Sequence, residues 1–276
     1  MKFRTMLLAS AAVMFATSAS AADITNPFFL PMQGKVLSDT KVEFNRTHLD
    51  FGAEKGEDVS KGLYASETAM VGLSDNFAVF GTIGNEFDID EDSDLNNDHN
   101  FDYKLGVKYN YNYGKVLTQV SASYNTFDPR SWYGTSGEGE EYSTNRWAKS
   151  LSGEIKLGYA YDCGLTPYTS FSINGDIDRA VREQEYSWFV GAHKAWDAAS
   201  VDAGLRYAWG TEKKTDLLDA DEANDKNEAL FLDVAANYFV NDNVTVGAYG
   251  SWYLGGDARK DVDYDYTIGL NAKVLF

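Results

Sequence analysis

From Phe101 to Tyr111, apolar and polar residues take strict turns along the chain. Phe101, Tyr103, Leu105, Val107, Tyr109 and Tyr111 fall on one parity, and Asp102, Lys104, Gly106, Lys108 and Asn110 on the other. A helix would smear these charges around its surface, whereas a strand gathers them on one side. The final segment does the same: Tyr264, Tyr266, Ile268, Leu270, Ala272, Val274 and Phe276 alternate with Asp265, Thr267, Gly269, Asn271, Lys273 and Leu275. Comparable runs lie at 116–124, 155–161, 201–209 and 230–238, with shorter or noisier ones near 35–50, 62–73, 77–87, 165–173, 186–194 and 244–254. The spacing therefore predicts about twelve strands, an even number, each with one greasy face.

The 62–73 segment is ambiguous. One register turns Leu63, Ala65, Ala69, Val71 and Leu73 outward and carries Glu67 with them; the other turns Ser66 and Thr68 outward. A bulge near Glu67 would reconcile the two.

Connections alternate in length. Tight turns are expected at Ser74-Asp75-Asn76, Asn112-Tyr113-Gly114, Asp162-Cys163-Gly164, around Trp196 and at Asn241-Asp242-Asn243, because these residue types accept the backbone angles of tight turns. Long polar connections occupy 88–100, 128–149, 174–185 and 211–227. If the chain starts on the short-turn side, the outward rings sort into two belts. Tyr109, Tyr111, Tyr159, Tyr161, Tyr238 and Phe276 fall at the short-turn rim. Phe101, Tyr103, Tyr124, Tyr207, Trp209, Trp252, Tyr264 and Tyr266 fall at the long-loop rim. Rings at two levels with aliphatics between them are what a bilayer selects, and they give a use for 18 Tyr, 16 Phe and 6 Trp. An open sheet edge in hydrocarbon would strand backbone donors and acceptors, so the sheet is expected to close. A soluble lipocalin-like barrel or sandwich would bury its apolar face and leave the belts unexplained.

The N-terminus reads as a secretory signal: Lys2 and Arg4, then an apolar run from Met6 to Phe15, then Ala19-Ser20-Ala21. The expected organisation is a signal peptide at 1–21, a periplasmic segment at 22–34 and a barrel domain at 35–276. The formal charge of −18 becomes −20 once Lys2 and Arg4 leave, since no acid leaves with them. That acidity argues against a nucleic-acid partner. The lone Cys163 can form no internal disulfide.

With the signal, the alternating hairpins and the last strand in place, the chain resembles the Gram-negative outer-membrane β-barrel superfamily, most closely small monomeric porins of twelve to fourteen strands. The resemblance implies an all-β, single antiparallel up-and-down transmembrane barrel. Its partners would be outer-membrane lipid and lipopolysaccharide, with both termini periplasmic and the long loops extracellular. It also implies that Leu270, Val274 and Phe276 are read by the barrel-assembly machinery, although Asn271 stands where that superfamily often has glycine. The basic strip of acidic-sugar channels is not evident, so their specificity is not carried over.

The inward parity of the clear strands holds Asp102, Glu154, Asp202, Asp233, Asp263 and Asp265 against Lys104, Lys108, Lys156, Arg206 and Lys273, nearly balanced. Such charges need water or one another, so the lumen is either a wet channel or a cross-paired plug. Twelve strands at about 40° tilt give a backbone radius on the order of 12 Å. The expectation is a passive channel for ions or small solutes. It would favour cations weakly, because acidic loops concentrate them. The alternative is a structural or adhesive barrel with a closed lumen and partner-binding loops, for which Trp132, Tyr133, Tyr142 and Trp147 could supply a surface.

Chemistry finds little support. His48, His99 and His193 lack the serine spacing of phospholipase-type barrels, and Asp88-Ile89-Asp90 has no matching Asp-x-His. No catalytic residue, and no cofactor, is nominated. Seven acids between Glu86 and Asp98 include Asp88, Asp90, Asp92 and Asp94, but Ser93 occupies the glycine position of an EF-hand and no Glu closes the loop. A solvated loop is the plain reading; loosely held Ca²⁺ or Mg²⁺ is the sharper one.

Overall fold

Alternation of this kind leaves each strand an apolar face and a polar face, and the only arrangement that satisfies both in a bilayer is a cylinder. The computed structural model describes residues 23–50, 57–88, 100–127, 148–177, 181–214, 226–256 and 262–276. The expected signal, Asp90, Asp92 and Asp94, and the loop aromatics Trp132, Tyr133, Tyr142 and Trp147 lie outside the described residues. Twelve strands run through what is described. They are β1 (Val36–Asp50), β2 (Glu57–Ser74), β3 (Phe77–Asp88), β4 (Asn100–Asn110), β5 (Val116–Phe127), β6 (Ala148–Tyr159), β7 (Leu165–Asp176), β8 (Val181–Ala195), β9 (Ala199–Lys214), β10 (Lys226–Asn241), β11 (Val244–Gly255) and β12 (Val262–Leu275).

Each strand pairs antiparallel with the next, and β1 pairs with β12, so the sheet is a closed up-and-down barrel. The seam is sealed to the last residue: the Val36 amide donates to the Phe276 carbonyl at 3.2 Å, and the Phe276 amide to Val36 at 2.8 Å. The five expected tight turns all fall at one end, with Gly114 and Gly164 at positive φ (59° and 79°). Among the described residues no helix is long and apolar enough to cross a membrane.

The outer surface is apolar. Leu105 is 68% exposed and Leu270 66%, values that only a hydrocarbon environment makes tolerable for a whole ring of such residues. Tyr159 and Tyr161 contact each other at the short-turn rim, ring centroids 4.9 Å apart. Towards the long-loop rim, Phe171, Tyr186, Tyr207 and Trp209 form a continuous aromatic patch, with Tyr186 stacked on Trp209 at 5.6 Å.

In β2 the structure adopts the outward register that includes Glu67. Pairing to β1 and β3 runs unbroken through it, opposite Thr40 and Ile83. The irregularity lies at Gly72/Ser74 instead. What makes the carboxylate tolerable is β1: the hydroxyls of Ser38 and Thr40 both donate to it, so its charge sits on the apolar outer face with two hydrogen bonds already made.

Candidate functional site: the bore and its N-terminal strap

Residues 23–35, which overlap the segment expected at 22–34 to be periplasmic, fold up inside the barrel's short-turn end. Two side chains start the folding locally. The Thr25 amide donates to the Asp23 carboxylate at 3.1 Å and the Phe28 amide to the Asn26 side chain at 2.9 Å, turns that Asp and Asn form readily. At the exit, Gly34 (φ 78°) reverses the chain, and it exchanges backbone hydrogen bonds with β2 as the Gly34 amide donates to Gly72 and the Gly72 amide to Lys35.

This strap is apolar where it meets the wall. Ile24, Phe28, Leu30 and Pro31 are buried, Ile24 and Leu30 in a cluster with Leu37, Met70, Ala78 and Phe80 of β1–β3. Phe28 packs edge-on against Tyr168, centroids 5.9 Å apart, over Gly158, where a Cβ would fall 2.7 Å from its ring. Burying each such side chain contributes about 2 kcal/mol. Polar atoms fix the register. Thr25 and Ser200 share a hydrogen bond of 2.7 Å, and Asn110, itself held by Gln119, donates to the Phe28 carbonyl at 2.6 Å.

The strongest tie is a row of charge. His193, 1% exposed, meets the Asp23 carboxylate at 2.7 Å through Nε2 and faces Asp202 at 3.6 Å through Nδ1. Tyr168 donates to the other Asp202 oxygen at 2.9 Å. Ser200 is fully buried and bonded to Thr25, so it adds a second tie to the latch. Burial raises the pKa of Asp23, but hydrogen bonds from His193 and Thr25 outweigh it and hold the carboxyl below its usual range. The sign follows from linkage: a lowered carboxyl pKa stabilises the folded strap above the ordinary aspartate value of about 4, and that stabilisation is lost as pH falls through the lowered value. Amide exchange of residues 24–31 should therefore stay slow from pH 5 to 8 and accelerate below about pH 4. Asp23→Ala should make it fast throughout; slow exchange in that variant would refute the latch.

Beyond the strap the bore opens into a cavity of about 630 Å³. Lys41, Lys104, Lys108, Lys156 and Lys273 line it, with Asp39 and Glu154 as the carboxylates. Lys104 and Lys108 lie over the Phe80 ring at 5.9 and 5.4 Å, and Lys41 over Tyr249 at 5.4 Å. Several inward acids among the described residues are engaged. Tyr64 donates to Asp102 at 2.9 Å and Tyr249 to Glu43 at 2.5 Å. Asp233 holds Arg206 at 2.8 Å and accepts from Ser251 at 2.6 Å, while Glu154 pairs with Lys156 at 3.3 Å.

Asp265 also points into the bore, on the same side of β12 as Lys273. Asp102, Lys104, Lys108, Glu154, Lys156, Asp202, Arg206 and Asp233 are thus distributed unequally: the lysines meet at the cavity, whereas Asp202 serves the latch and Arg206 with Asp233 forms its own pair across β9 and β10. Phe101, Tyr103, Tyr109, Tyr111, Tyr238, Trp252, Leu270 and Phe276 are exposed on the outer face or its rim. Val274 and Tyr266 share that outward parity on β12. Asp88 is the last residue of β3. Among the described residues, no group of three or more metal-binding side chains is gathered.

Sequence reasoning missed the strap, the part played by His193, and the inward aromatics Tyr64, Phe80, Tyr168 and Tyr249. Their parity was available, but they sit in the noisier strands.

No family model matches the chain, and no curated protein matches its sequence. Solved structures do match in shape. An outer membrane channel from Pseudomonas putida F1 superimposes with a TM-score of 0.65 at 11% identity, covering 92% of this chain and all of that one. The NanC porin gives a TM-score of 0.49 at 9% identity, over 86% and 98% of the two chains. The TodX monoaromatic hydrocarbon channel, as a deltaS2 mutant, gives 0.46 at 10% identity over 90% of each. Closed topology, an apolar exterior and the superposition on the first of these agree: this chain has the fold of the outer-membrane β-barrels.

Proposed function

We propose that the protein is a passive outer-membrane channel for ions and small solutes, narrowed at its short-turn mouth by its own N-terminal strap. The polar cavity inside a closed barrel carries this reading, since an interior built only for rigidity would be filled by paired or apolar side chains. With the short turns facing the periplasm, the strap narrows the periplasmic mouth and the long loops surround the outer one. The weak cation preference expected from acidic loops would act at that outer mouth; the charge of the bore itself is set by the lysines.

The strap also favours a second reading, a structural or adhesive barrel whose lumen is shut. Planar-bilayer recording separates the two. A channel should give small, resolvable current steps from the refolded full-length protein. Silence both in that protein and in a form lacking the strap would leave the structural reading alone standing.

A further inference from the structure

The carboxylates of the bore are nearly all occupied, and most of its lysines are not. Among the described residues Lys41, Lys104, Lys108 and Lys273 close no salt bridge. They project from three strands, β1, β4 and β12, into one cavity. Asp39, directly opposite Lys273 in the β1–β12 register, offsets one of them. The lining still holds five lysines against two carboxylates, an excess of three positive charges in a confined space. Aromatic faces soften that repulsion, because Phe80 and Tyr249 present negative quadrupoles to three of the ammonium groups. They supply no counter-charge.

The rest of the lining is neutral and rich in hydrogen-bonding groups. Ser121, Ser123, Ser152, Thr82 and Asn174 face the same space. Several already order one another: Ser152 donates to Asn174 at 2.8 Å, and Thr82 shares a hydrogen bond of 2.8 Å with Thr68. Hydroxyls with free lone pairs and rotatable protons suit an oxygen-rich solute. The volume lies within the range that holds small ligands.

We propose that this cavity is a binding station for small multivalent oxyanions, carboxylate- or phosphate-bearing, held by Lys41, Lys104, Lys108 and Lys273. The inference rests on the channel reading and specifies what its bore holds. A monovalent cation would meet a lining with three more lysines than carboxylates. A multivalent anion removes the repulsion at once, because one ligand can meet several ammonium groups.

The test is titration calorimetry of folded, detergent-solubilised full-length protein with citrate and, separately, inorganic phosphate at low ionic strength, where screening is least. Saturable one-to-one binding of at least one probe is expected, weakened tenfold or more in the Lys104→Gln/Lys108→Gln double variant. Should that variant fail to fold, Lys41→Gln/Lys273→Gln on β1 and β12 must give the same loss. No saturable heat with either probe, or binding that survives a folded double variant, overturns the proposal. Bilayer recordings on the same preparations keep the two ideas apart: current without anion binding removes the station and leaves the channel, whereas binding without current removes the channel and leaves the station.

Discussion

Excising residues 24–31 should raise the unit conductance of the refolded barrel by roughly an order of magnitude, because a side-chain-filled constriction sets the resistance of a narrow bore. The strap puts Ile24, Phe28, Leu30 and Pro31 across the short-turn end and is tied to β4, β8 and β9 through Asn110, His193 and Ser200. With it gone, water would meet Phe80 and Met70, against which the strap now packs, and the lysine cavity would open at its short-turn end. The ladders of the wall do not include residues 24–31, since every strand pairs with two neighbouring strands. The truncated chain should still migrate as a folded barrel. Unchanged conductance in a folded truncated chain would mean that the strap does not limit the bore.

Gly72→Val should be the most damaging single substitution in the lower wall. A Cβ at this position would sit 2.1 Å from the Pro31 carbonyl oxygen and 2.2 Å from that of Met32. Both are backbone atoms and cannot swing aside. Overpacking of this severity costs about 3 kcal/mol if the strap stays; otherwise the strap leaves and the conductance rises as in the truncated chain. Gly81→Ala is the matched control on the next strand: its nearest neighbour would be the Lys104 carbonyl at 3.8 Å, an ordinary contact. Urea unfolding in lipid vesicles should separate the two by several tenths of a molar or more. Equal midpoints together with equal conductance would refute the close packing of strap on wall.

The wall was legible because its rule is local. In β4 each residue's facing follows from its neighbours, so Leu105 outward and Lys104 inward could be read without knowing which strand lay alongside. Glu67 marks where that rule stops. Its parity was visible, but its tolerance depends on Ser38 and Thr40, which the β1–β2 register brings beside it. The strap lies beyond the rule altogether. From the sequence, residues 23–34 read only as part of a periplasmic segment preceding the barrel. What pulls them inside are partners 170 and 175 residues away, His193 and Ser200. The same distance hid the charge arrangement: a count of inward residues gives near balance, whereas the structure ties Asp102, Glu43 and Asp233 to Tyr64, Tyr249 and Arg206 and gathers the lysines around one cavity.

The claim underneath all of this is that hydrocarbon bathes one parity of each strand and water the other. Single cysteines at Leu105 and at Lys104, introduced separately with Cys163→Ser and labelled with a fluorophore, test it on adjacent residues of β4. In lipid vesicles the label at 105 should be quenched by spin-labelled lipid and spared by iodide, and the label at 104 should show the reverse. Two labels quenched alike, or the lipid quencher acting on position 104, would contradict the account.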